Sequence, residues 1–126
     1  MRRILAVLSI GALGIAGASA QGLHAVRPIP GYACMMPKLG DVRSFADLPK
    51  IMEYPDPASK PVGLAGTIVL ARNPLHIENG YAEVLRFDGH PGWILADGLQ
   101  PYHSASDPKA HCLPSIMSNG LPGIGS

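Results

Sequence analysis

Apolar positions fall into two regimes along the chain. Ile4 to Ala16 is a continuous, glycine-softened apolar run. Met1-Arg2-Arg3 precedes it, and Ala18-Ser19-Ala20 follows as a small-x-small site. That three-part pattern predicts a secretory signal peptide over residues 1–20, with cleavage before Gln21. The run is too short to favour a membrane span, and Gln21 stands where a lipid-anchored product would carry cysteine.

From Ile51 onward, apolar and β-branched residues come in short runs separated by turn dipeptides. Gly66–Ala71 predicts a strand, and Leu75–Ile77 a shorter one. Tyr81–Phe87 predicts a strand with Ala82 and Val84 on one face and Tyr81, Glu83 and Leu85 on the other. Gly92–Leu95 and Gln100–Tyr102 are further strands, with a single helical turn at Ala96–Leu99. Asn79-Gly80 and Asp88-Gly89 supply the tight turns. Tyr54 to Pro61 holds three prolines and is read as a loop. No long amphipathic helix separates the strands, so the pattern predicts an all-β domain. Its expected core is Ile68, Leu70, Ala82, Val84 and Ile94.

Outside residues 51–102 the periodicity is weak. Residues 21–50 form an N-terminal arm. Its first ten residues are expected to be extended and mobile, and Val42 to Leu48 to form one or two helical turns capped by Ser44. Residues 103–126 form a C-terminal arm, with Asn119 to Ser126 expected to be loose.

Composition narrows the function classes. Without the leader, 106 residues remain, enough for one small domain. Without Arg2 and Arg3, eight Lys and Arg face nine Asp and Glu. No basic stripe supports nucleic-acid binding or electrostatic membrane attachment. Both cysteines, Cys34 and Cys112, follow the leader. In an oxidising compartment such a pair reads first as a disulfide joining the two arms. A metal site or an intermolecular bridge are the other readings. Cys34, Met35, Met36, His111, Cys112 and Met117 are soft or borderline ligand types, but no metal-ligand spacing is present. No nucleophile elbow, paired-carboxylate motif or phosphate loop occurs, so neither catalysis nor a cofactor is expected.

Tyr54-Pro55-Asp56-Pro57-Ala58, Val62–Thr67, Glu78–Val84 and Asp88–Ile94 occur in the order and spacing of a bacterial SH3-like (SH3b) domain, which residues 51–102 resemble. Met52–Pro57 departs from that family's usual opening. The resemblance implies a small SH3-like barrel with the arms added around it. It also implies a non-catalytic binding module for a cell-envelope ligand, a peptidoglycan peptide or a protein partner. The expected compartment is the periplasm or outside the cell. Tyr54, Tyr81, Trp93 and Tyr102 are the candidate groove aromatics. The competing reading is that Tyr81 and Trp93 only cap the core. The alternative function is a periplasmic metal-binding or redox accessory protein using the Cys34/Cys112 region.

Overall fold

The computed structural model describes residues 22–40, 43–104, 106–107 and 109–125. The predicted leader lies outside the described residues. Short β-branched and apolar runs between turn residues become eleven short strands: β1 (Ala25–Pro28), β2 (Tyr32–Pro37), β3 (Lys50–Met52), β4 (Pro61–Leu64), β5 (Val69–Arg72), β6 (Ile77–Glu78), β7 (Tyr81–Leu85), β8 (Pro91–Leu95), β9 (Leu99–Pro101), β10 (Leu113–Met117) and β11 (Pro122–Gly125). Two 3₁₀ turns, Phe45–Asp47 and Ala96–Gly98, complete the set. Every pairing is antiparallel. The all-β expectation therefore holds.

The strands form two sheets. The larger runs β4-β3-β8-β7-β5-β2-β9, with β6 hydrogen-bonded to β7. The smaller runs β1-β10-β11. Among the described residues no ladder joins β4 to β9, so the larger sheet is open where a closed barrel was expected.

Local turn chemistry fixes the hairpins. Asn79 and Gly80 take φ of 51° and 82°, as a two-residue β6–β7 turn requires. Gly89, with φ of 90°, turns β7 into β8. Asp88 Oδ1 accepts the His90 amide there at 3.0 Å.

Ile51, Ala65, Val69, Ala71, Ala82, Val84, Ile94 and Leu99 form the buried core, with Met35, Val62 and Ala96 packed against it. Ala82, Val84 and Ile94 match expectation. Leu70 is fully buried but belongs to the opposite face, and Ile68 is half-buried ahead of the strand. The strand begins at Val69 rather than Gly66, and Val69 and Ala71 are its core-facing residues. A one-residue shift in phase moves every side chain across the sheet.

Leu70 pairs in register with Cys34 of β2. Met35, its neighbour, packs into the core, so strand alternation puts Cys34 on Leu70's face. There Cys34 is bonded to Cys112, immediately before β10, with the Cα atoms 6.1 Å apart. The predicted disulfide is thus present, and it fastens the small sheet over the back of the large one. A Cβ on Gly89 would lie 3.9 Å from the Leu121 side chain, so the β10–β11 hairpin also touches the β7–β8 turn.

Both arms are more structured than their sequences foretell. β1, in the segment expected to be mobile, pairs with β10, and β11 pairs with β10 from the other side. β2 lies between β5 and β9 of the large sheet. Of the predicted helical stretch from Val42 to Leu48, only Phe45–Asp47 turns, as one 3₁₀ unit, and Val42 lies outside the described residues. Asp47 Oδ2 accepts the Arg43 and Ser44 amides at 2.9 and 3.2 Å, which ties this turn off before β3.

Candidate binding groove

The loop between β3 and β4 is built to hold a shape without strand pairing. Its prolines fix φ and remove donors, and several of its backbone amides find acceptors within the loop. The Tyr54 amide donates to Ser59 Oγ at 2.9 Å, the Ala58 amide to Asp56 Oδ1 at 2.8 Å, and the Glu53 amide to the Lys60 carbonyl at 2.9 Å. Asn79 Nδ2 reaches across to the Pro55 carbonyl at 3.1 Å and pins the loop to the β6–β7 turn. Opposite, the Ala96–Gly98 turn is held by the Ala96 amide on the Gly80 carbonyl and by the Lys38 amide on the Gly98 carbonyl.

Between this loop, β3 and the 3₁₀ turn lies a groove of about 820 Å³, within the size range of small-molecule and short-peptide sites. Pro49, Pro57, Pro61, Met52, Tyr81, Ile94 and Leu95 give it a mainly apolar lining, with Ser59 and Gly98 beside them. Met52 and Tyr81 are buried, whereas Leu95, in register with Tyr81, is 56% exposed. The charged residues on the wall are Lys50 and Asp97.

The four predicted aromatics do not converge. Tyr81 is in the groove. Tyr54 stands on the adjoining loop, 63% exposed. Trp93 is half-buried, on the same strand face as Leu95 but beyond the groove lining. The His76 ring meets it edge-on, with centroids 5.7 Å apart, and His76 Nε2 lies 2.9 Å from Glu78 Oε2. Tyr102 follows β9, where its amide donates to the Cys34 carbonyl at 3.2 Å, beside the disulfide. Sequence reasoning missed the prolines, Lys50, Met52, Leu95 and Asp97. Their sequence signal is the proline-rich loop itself and the 3₁₀ turn that follows β8.

Both cysteine sulfurs are consumed in the disulfide, so neither is a thiolate ligand in this state. Among the described residues no group of three His, Cys, Asp or Glu side chains is arranged to hold a metal ion. Among the described residues, the one clear electrostatic perturbation lies away from the groove. The His90 amide hydrogen bond, aided by Arg86 at 3.1 Å and by the His90 ring, holds the Asp88 carboxyl below its usual range. Among the described residues no helix is long and apolar enough to cross a membrane.

No family model matches the chain, and comparisons with curated proteins and with solved structures find no match.

Proposed function

We propose that the protein is an exported, non-catalytic binding module that seats a peptidoglycan stem peptide in this groove. The carrying observation is the groove's composition. Rigid prolines and one aromatic ring line a trough of about 820 Å³, and preformed walls lower the ordering cost of binding. The order strand, proline-rich loop, five large-sheet strands, 3₁₀ turn and final strand supports the SH3-like resemblance over residues 51–102. The disulfide is compatible with an oxidising compartment. Together with the predicted leader it supports a periplasmic or secreted protein. The groove replaces the wider aromatic set as the site, because it keeps Tyr81 and leaves Trp93 and Tyr102 outside its lining.

Retention on purified cell-wall sacculi tests the reading. Leu95→Glu places a carboxylate on the exposed rim of the apolar trough, and desolvating it should weaken retention about tenfold. Stripping the stem peptides from the sacculi should abolish retention. Unchanged retention of Leu95→Glu overturns the groove. Undiminished retention on stripped sacculi overturns the stem peptide and points to the glycan or to an envelope protein.

A further inference from the structure

Lys50 and Asp97 are the charged residues on an otherwise largely apolar wall. Among the described residues neither side chain has a hydrogen-bond or ion-pair partner, and they do not pair with each other. Lys50 opens β3, a regular strand whose bulge is taken up by Val62 of β4. Lys50 and Met52 are therefore on one face, and both reach the groove. Asp97 lies in the 3₁₀ turn that follows Leu95, beyond the Tyr81–Leu95 pair. The groove thus offers one cation and one anion on an apolar trough, neither neutralised among the described residues.

We infer that the groove selects a zwitterionic peptide, with a ligand carboxylate at Lys50 and a ligand ammonium at Asp97. Met52, Tyr81 and the prolines pack the segment between them. A purely anionic ligand gains at Lys50 and is repelled at Asp97, and a purely cationic one meets the reverse. Charges at the margin of a contact fix orientation and exclude wrong partners more than they add affinity, so the pair gives the trough a direction. The inference rests on the groove being the ligand site, and it adds which ends of the ligand are read.

The probe is a stem-type tetrapeptide that contains a diamino acid and has a blocked α-amine. It is compared with the same peptide acetylated on the side-chain amine and amidated at the C-terminus, one change at a time. Calorimetric titration of the protein should show each change weakening binding about fivefold, the upper range for an exposed ion pair. Lys50→Glu should lose discrimination against the amidated peptide alone, and Asp97→Lys against the acetylated peptide alone. Both positions are exposed, so the folded state should tolerate the changes. Two outcomes overturn the inference and leave the groove standing. One is equal binding of all the peptides. The other is binding of none, while Leu95→Glu still weakens retention on sacculi. No peptide binding together with a silent Leu95→Glu removes both.

Discussion

The two sheets are held together by different physics. The large sheet encloses eight buried apolar residues drawn from five strands and the segment between β4 and β5. Its stability comes from area removed from water. The small sheet buries mainly Pro114, Ser115, Pro122 and Gly125. Side chains of that kind bring little apolar area, and Ser115 Oγ must spend its hydrogen bond on the Leu113 carbonyl, at 2.9 Å. Its pairings also join the two ends of the chain: Ala25 meets Met117. Such distant pairing carries a large loop-closure cost. The disulfide and the Leu70 face offset it, and so the small sheet is attached to the fold rather than generated by its own core.

Removing the attachment should produce the largest effect. The bridge closes a loop of 78 residues, and the chain-entropy model assigns such a loop about 4.5 kcal/mol. The Cys34→Ser/Cys112→Ser protein should lose roughly that much in urea denaturation, a large part of the ~5–15 kcal/mol typical of a domain. Hydrogen exchange should localise the loss. Ile116 and Met117 amides should lose protection while Ala82 to Leu85 keep theirs. Equal loss of protection in both sheets would mean that they form one cooperative unit and would erase the distinction.

Leu70 sharpens the comparison. It is fully buried but lies outside the main core cluster, on the face that Cys34 shares. Leu70→Ala should cost about 3 kcal/mol with the disulfide intact. Without the disulfide the same substitution should cost clearly less, because the cover over Leu70 is then free to lift. Ile94→Ala, in the main core, should cost the same in both backgrounds. Strict additivity for Leu70 in this double-mutant cycle would show that the small sheet is not its cover.

The same contrast explains what could be read from sequence. The β6–β7–β8 meander was legible because Asn79-Gly80 and the alternation of Tyr81 to Leu85 are local signals. β5 was found with its face misassigned. Ile68, Val69, Leu70 and Ala71 are all apolar, so a continuous run gives no phase, and only the covered back of the sheet explains Leu70. β1 and β11, Ala-Val-Arg-Pro and Pro-Gly-Ile-Gly, carry no strand signature. Their partner lies on β10, and for β1 it is some ninety residues away in the chain. In the groove, Tyr81 was legible as an aromatic on a confident strand. Lys50, Met52 and Asp97 were not, because their shared wall exists only once β3 is laid beside β8. Trp93 and Tyr102 enter the candidate set through the SH3-like resemblance; Trp93 pairs with Met52 at the groove's edge but lies outside its lining, and Tyr102 lies beside the disulfide.

The smallest effect belongs to the second, non-covalent contact between the sheets, where the β7–β8 turn meets the Leu121–Pro122 corner. Asp88 organises that turn. It accepts the His90 amide and faces the Arg86 guanidinium and the His90 ring. Arg86 in turn donates to the Pro91 carbonyl at 3.2 Å. The Asp88 carboxyl is held below its ordinary value of 3.8, first by the His90 amide hydrogen bond. A depressed folded value means that the ionised group stabilises the fold above the unfolded value, and that this contribution is lost as pH falls through the folded one. Asp88→Asn should therefore lower the urea midpoint slightly near neutral pH. The gap to wild type should close as pH falls through the ordinary value of 3.8 and below it. The group is solvent-exposed, so screening keeps the effect small, well below that of the disulfide or Leu70. A gap that persists unchanged at low pH would assign Asp88's role to turn geometry alone, since asparagine keeps one acceptor oxygen but no charge. The turn would then contribute shape, not electrostatics, to the seating of the small sheet.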